Sequence, residues 1–349
     1  MYTREIKGHQ GAPIEKGVPV QGTWDSAFTE VDLLDIHRPY RFPLPRWARD
    51  IRIKEWESFA VQDDRFYLEA ILANIKYYRI AQVLLYDKET KEKLRFQKMI
   101  PFSGWRIPRV LANSAIESRS YGFFFRIHDW LDADTIKVDL DIEATRRRPS
   151  FTAHLTYDLS KSKAGPLVVN LGFSERRCLY AYKALAPVRG DMVFGGKHSS
   201  LNPAKTSGIF SDFKGFYPYR MQSVWCSGFG FDGKGRRIGF SMAENQTRET
   251  HKNNENALWI DGELTPLPPV RITMPGGVKS DWIIQDVEGM VDLVFTPQEF
   301  VRSGFNLILT RAEFEIPLGC YNGTLVNAKG EQIQVRNLWG TGEKLYLRV

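Results

Sequence analysis

Phe151-Thr152-Ala153-His154-Leu155-Thr156-Tyr157-Asp158-Leu159 alternates without a fault. Phe151, Ala153, Leu155, Tyr157 and Leu159 fall on one side, and Thr152, His154, Thr156 and Asp158 on the other. A period of two marks a strand with one packed face and one wet face, the usual state of an antiparallel sheet. The same reading extends outward. Residues 137–143 run Lys-Val-Asp-Leu-Asp-Ile-Glu, 122–128 set Phe123, Phe125 and Ile127 against Phe124, Arg126 and His128, and 66–75 align Phe66, Leu68, Ala70 and Leu72. Turn residues divide these runs at Asp87-Lys88-Glu89-Thr90 and Asp132-Ala133-Asp134.

The second half repeats the style. Asp232-Gly233 turns a hairpin over 229–240, Asp261-Gly262 marks another turn, and Phe305–Thr310, Ile333–Val335 and Leu345–Val349 read as strands. The stretch 160–166 reads as a loop. Helices are expected only at 107–118, where alternation stops, and for a turn or two at Thr296–Arg302, where Pro297 sits early enough to need no donor. Many short strands without βαβ spacing predict a mostly β protein of two packed, antiparallel, barrel-like domains, since closure removes exposed edges. The expected division is an extended arm over 1–50, anchored by Trp24, Phe28 and Trp47, a first domain over 51–190, and a second over 191–349. Trp56 and Trp225, each followed by a turn and a strand, form a weak internal echo.

Composition narrows the function classes. The chain has 349 residues, 43% of them hydrophobic and 13% aromatic, enough for two cores and for ring-lined pockets. A net charge of +7 from 48 basic and 41 acidic residues is a mild bias, and no nucleic-acid module accompanies it. Arg146-Arg147-Arg148 reads as an exposed connection rather than an anion contact. The three cysteines, Cys178, Cys226 and Cys320, are too few and too far apart for a disulfide or zinc framework. No transmembrane run or signal peptide is seen, so a cytoplasmic location is expected. Phosphate loop, dinucleotide fingerprint, zinc-protease helix and nucleophile elbow are all missing, so no cofactor or metal is expected.

Three constellations carry candidate chemistry. In Lys54-Glu55-Trp56, continued alternation turns Glu55 toward the apolar side, so either a bulge intervenes or a carboxylate faces inward. Such a group is either a paired structural Glu or a ligand-facing acid with a raised pKa. In 212–225, Asp212, Lys214 and Arg220 alternate with Tyr217, Tyr219 and Trp225, as at a pocket wall or a domain interface. In 244–259, Glu255 and Asn256 precede an apolar strand, either at a strand mouth or tying a turn.

These three segments resemble an uncharacterised bacterial family, domain of unknown function 2804. Its marks correspond to Lys54-Glu55-Trp56, Asp212 through Pro218, Trp225-Cys226-Ser227-Gly228 and Glu255-Asn256. The family pattern has an Arg before the glycine where this chain has Lys214, which disfavours a role needing a guanidinium fork. The family is distantly similar to lipocalin-like (calycin-like) double barrels that include carotenoid hydratases of the hydroxyneurosporene synthase type. The resemblance implies an apolar or amphipathic small-molecule partner and cofactor-free hydratase, isomerase or cyclase chemistry. A non-catalytic carrier and a structural or partner-binding domain remain open beside it. The candidate proton-transfer residues are Glu55, Asp212 and Glu255. Lys54, Trp56, Lys214, Tyr217, Tyr219, Arg220, Trp225 and Asn256 are the candidate ligand contacts.

Overall fold

The fold is described by a computed structural model over residues 1–40, 42–101, 106–162, 165–306 and 310–348. The alternating segments are antiparallel strands, as expected, and three of them are neighbours. Phe123–Trp130, Thr135–Ile142 and Phe151–Asp158 lie side by side in a six-stranded sheet, flanked by Ser114–Ser120 on one edge and by Val188–Phe194 and Lys197–Leu201 on the other. Their apolar residues are buried and their polar ones, Asp129 apart, reach solvent, because only one face of this sheet is covered.

The covering layer is an eight-stranded sheet. Its order is Gly22–Trp24, Leu167–Ser174, Arg177–Ala186, Ser207–Phe216, Ile53–Gln62, Phe66–Asn74, Tyr78–Asp87 and Lys93–Pro101. One face packs on the six-stranded sheet through Phe59, Leu68, Val83 and Phe210. The other packs on a third sheet through Tyr67, Leu179, Ile209 and Phe213. A sheet buried on both sides loses its polar alternation, and every residue of Ser207–Phe216 is buried.

The third sheet has nine strands and begins at Arg220. It curls until its ends approach: Glu244 Oε1 accepts from Arg271 Nη1 at 2.5 Å and Oε2 from the Ile272 amide at 2.8 Å. Its concave side holds Phe240, Leu258, Trp282, Phe295 and Tyr321. Gly228 pairs with Gly340, which pairs with Gly319, so three adjacent strands carry glycine side by side on that concave face. A Cβ on Gly340 would stand 1.9 Å from the Ser227 carbonyl oxygen, and one on Gly319 would stand 2.1 Å from that of Thr296. The row lets the backbones close up where the sheet bends most. Gly340→Ala is expected to cost about 2–3 kcal/mol in a urea titration. Gly233→Ala, at a hairpin turn with nothing within 4 Å of the new methyl, is the neutral comparison. Equal midpoints for the two variants would remove the packing argument.

The ladders thus describe a mostly β protein with few short helices and one partly curled sheet, coarser than paired lipocalin-like barrels. They pass from the first two sheets to the third between Phe216 and Arg220, whereas the sequence reading placed the change of domain near 190. Asp261 and Gly262, both at positive φ, make the expected tight turn between Ala257–Ile260 and Glu263–Pro266.

Three expectations are corrected. The helix expected over 107–118 is absent, and its second half is the strand Ser114–Ser120, which buries Ile116 and Ser118 and pairs with Phe123–Trp130. Thr296–Arg302 lies inside the strand Val291–Asn306, where a register shift between Pro297 and Glu299 absorbs the missing proline donor. Trp24 and Phe28 anchor the arm, but Trp47 is 69% exposed on the seven-residue helix Arg46–Arg52. Residues 307–309 of the expected strand Phe305–Thr310, Lys163 and Ala164 of the loop at 160–166, and Val349 lie outside the described residues.

Candidate functional site

Between the eight-stranded sheet and the convex side of the curled sheet lies a cavity of about 180 Å³. Strand alternation decides what enters it. From Ser207–Phe216 the odd positions Ile209, Ser211 and Phe213 line it, and from Ile53–Gln62 Lys54, Trp56 and Ser58 do. Tyr67, Glu69 and Ile71 come from Phe66–Asn74, and the curled sheet adds Trp225, Ser227, Thr341, Glu343 and Phe314. Tyr77 and Met99, 42% and 38% exposed, mark its mouth. Trp56 forms the aromatic wall, stacking on Phe213 at 5.0 Å and meeting Trp225 edge-on at 6.3 Å. The two tryptophans of the sequence echo thus face each other across the layer.

Two carboxyls stand in this apolar space. Both line the cavity and are half-buried there, and burial raises both, Glu69 to about 7 and Glu343 to about 8. The charge of Glu69 adds to the rise of Glu343. The Tyr67 hydroxyl stands 3.5 Å from Glu69 Oε2 and partly offsets the burial. Lys54 is pushed the other way, down to about 7, by burial first and then by the charges of Arg52 and Lys76. Its Nζ donates to the Ile51 carbonyl at 2.7 Å. Two acids raised and one amine lowered by burial thus face one cavity, all titrating near neutral pH.

One end of the cavity is closed by an ion pair. Lys183 Nζ, on the wall, reaches Glu255 Oε2 and Ser241 Oγ, each at 2.8 Å. Glu255 Oε1 accepts from Trp225 Nε1 at 3.2 Å and from Asn245 Nδ2 at 2.7 Å. All donors to this carboxylate are fixed, which holds Lys183 and Trp225 in place. Asn256 is buried and ties backbone, accepting from the Ala243 amide and donating to the Pro268 carbonyl, each at 2.8 Å.

The expected residues therefore divide. Lys54, Trp56 and Trp225 line the cavity, Glu255 stands behind Lys183, and Tyr217 is buried against Trp56 with ring centres 5.9 Å apart. Tyr219 is 51% exposed, and Arg220 is exposed beside it. Asp212 and Lys214 occupy even positions of their strand and face the six-stranded sheet. Glu55 lies at the end of its strand, 2.6 Å from Lys76 Nζ, which also holds Asp50. The ladder beside Glu55 runs without a shift, so no bulge intervenes, and the fully buried carboxylate of that strand is Glu57.

Asp212 and Lys214 belong to a sealed cluster with Glu57, Asp129 and Tyr180. Lys214 Nζ donates to Asp212 Oδ2 at 2.5 Å, and both side chains are at most 1% exposed. Both Glu57 oxygens, Asp129 Oδ1, Asp212 Oδ1 and the Tyr180 hydroxyl have no protein hydrogen-bond partner. Burial raises Glu57 and Asp129 well above the carboxylate range, and neighbouring carboxylates add to it. Burial raises Asp212 to about 6 against the pull of Lys214. One cation serves three carboxyls here, so two of them are held as neutral acids.

Sequence reasoning missed Glu69, Glu343, Lys183, Glu57 and Asp129. Glu69 left a trace, because it breaks a face otherwise made of Tyr67 and Ile71. Glu343 left none, since Gly340-Thr341-Gly342-Glu343-Lys344 reads as an exposed turn. Among the described residues, no helix is long and apolar enough to cross a membrane, and no group of side chains is arranged to hold a metal ion.

Two solved structures resemble the chain at low identity. One, the crystal structure of CghA, is 12% identical with a TM-score of 0.49, covering 84% of this chain and 87% of that one. The other, kievitone hydratase from Nectria haematococca, is 13% identical with a TM-score of 0.49, covering 84% of this chain and 88% of that one. No curated protein matches. A family model described as "Domain of unknown function (DUF2804)" matches residues 3–348, nearly all of the chain, which therefore belongs to that family.

Proposed function

We propose that the cavity between the eight-stranded and curled sheets carries out proton-transfer chemistry on a largely apolar small molecule, as a cofactor-independent hydratase, isomerase or cyclase. The observation that carries this reading is the pair Glu69 and Glu343, pushed to different pKa values of about 7 and about 8 within one aromatic space. Two titrating groups held apart in this way divide the roles of acid and base. Between those values Glu343 is mostly protonated and Glu69 mostly ionised. For water addition across a double bond, Glu343 gives its proton to one carbon and water oxygen bonds to the other. The proton that water loses passes to Glu69. Positive charge developing on carbon faces the π-clouds of Trp56, Phe213 and Trp225. The cavity volume, about 180 Å³, slightly exceeds the roughly 150 Å³ that admits benzene, so one ring or a short branched chain is enclosed and the rest lies toward Tyr77 and Met99.

The reading places the proton donor on Glu343 because Asp212 faces the other layer, and it gives Glu255 the task of holding Lys183 and Trp225. The carotenoid-hydratase likeness and the paired-barrel architecture stay within this proposal as its finer form. A carrier with the same cavity is the second reading. Its outcome is separable: extract the compound that co-purifies, identify it by native mass spectrometry, and return it to the protein in deuterated, ¹⁸O-labelled water. Isotope entering the compound with wild type but not with Glu343→Gln supports the enzyme. A compound returned unlabelled by wild type makes this chain a carrier.

A further inference from the structure

A second space lies at the N-terminal hairpin and shares no lining residue with the cavity above. The strands Ile14–Glu15 and Val18–Pro19 turn through Lys16 and Gly17, both at positive φ. The Gly17 carbonyl accepts from the His37 amide at 2.8 Å, and a Cβ on Gly17 would meet the His37 ring at 2.3 Å. Arg176 Nη1 donates to the His37 carbonyl at 3.3 Å. Arg49 Nη1 donates to the carbonyls of Leu34 at 3.0 Å and Ile36 at 2.8 Å. These bonds draw the hairpin, the 34–38 segment, the helix Arg46–Arg52 and the 174–177 turn around one cleft of about 500 Å³.

The chemistry of its lining is one-sided. Lys16, Arg38, Arg49 and Arg176 line it together with His37, and no carboxylate does. Among the described residues, none of the four cations is within ion-pair distance of an acid. Arg49 Nε is buried with no hydrogen-bond partner. Four like charges around one space repel unless an anion lies between them, and a buried guanidinium donor without a partner is costly to leave so. Val18, Pro43 and Leu44 complete the lining as an apolar side. The volume is within the range of small-molecule sites, roughly 300–1,000 Å³, and far above what an inorganic ion fills.

We propose that this cleft binds a small organic phosphate. Its phosphoryl group would sit among the guanidinium groups, which match phosphate geometry in a fork. Its carbon body would lie on Val18, Pro43 and Leu44. A phosphate carries about −1.5 to −2 charges at neutral pH and so answers four cations better than a carboxylate does.

Phenyl phosphate, inorganic phosphate and phenylacetate are the probes, titrated calorimetrically into the full chain at low and moderate salt. Phenyl phosphate is expected to bind saturably and more tightly than the other two, and to weaken as salt rises. Arg38→Gln/Arg176→Gln, both exposed positions, is expected to lower its affinity by about tenfold or more. Arg38→Lys/Arg176→Lys, which keeps the charge, is expected to recover part of it, and matching thermal midpoints for both variants show that the fold is retained. No saturation by about 10 mM, well above the millimolar range of weak specific sites, overturns the proposal. Equal affinity in wild type and the Gln variant, or phenylacetate binding as tightly as phenyl phosphate, also overturns it.

Discussion

Lys214→Met is expected to destabilise the protein by about 3–5 kcal/mol at pH 8, because it removes the one cation from a sealed group of three carboxyls. The loss is that of an uncompensated buried charge, not of a contact. Asp212, raised only to about 6 while Lys214 is present, must then be either ionised without a partner or protonated at a pH that opposes it. The penalty is therefore expected to shrink as pH falls toward 5, where protonation of Asp212 costs little. Lys214→Met/Asp212→Leu removes charge and counter-charge together and is expected to recover most of the loss. Chemical denaturation of the three proteins at pH 5 and pH 8 measures all of this. A wild-type midpoint for Lys214→Met at pH 8 would show that the buried carboxyls do not depend on this cation.

Glu343→Gln is expected to lower turnover of a bound substrate by about 10²–10⁴-fold, the usual worth of a positioned general acid. The same variant reports without any substrate. Folded Glu343 titrates at about 8 against 4.5 for the ordinary group, so between those values the folded chain keeps a proton that the unfolded chain has released. Stability therefore falls as pH rises from about 4.5 to 8 and levels off beyond. Glutamine cannot ionise, so the variant is expected to lose this slope and to exceed wild type above pH 8 by on the order of 5 kcal/mol. Melting curves at intervals between pH 5 and 9 read the difference. Parallel profiles for wild type and variant would show that Glu343 titrates as an ordinary surface acid, and the proposed proton donor would be lost with it.

The sequence makes the six-stranded sheet and the hairpins legible, because a wet face preserves polar alternation in Thr135–Ile142 and Phe151–Asp158 and because Asp232-Gly233 and Asp261-Gly262 are strong turn chemistry. It hides the eight-stranded sheet better. Ser207–Phe216 is buried on both faces, and period two has nothing polar and wet to show there. The candidate site suffers from the same cause. Charged residues on such a strand point into one layer or the other by parity alone. Asp212 and Phe213 are neighbours in sequence but belong to different interiors. Lys54, Trp56 and Trp225 could be chosen by residue type. The choice of Glu69 and Glu343 over Glu55 and Asp212 depends on register, which only the ladders supply.

The first residues of the chain are fastened to nearly its last sheet. Tyr2 donates its hydroxyl proton to the His251 carbonyl at 2.9 Å, and Arg4 holds both the Asn254 side chain and the Asn256 carbonyl, the latter at 2.9 Å. These partners lie about 250 positions downstream and flank Glu255. During synthesis Tyr2 and Arg4 emerge before these partners and wait for about 250 further residues before this clasp can close. Until then Lys183, already made, has no carboxylate to meet. The wall of the cavity at Lys183 thus depends on contacts between segments far apart in sequence, whose pairing is slow to form.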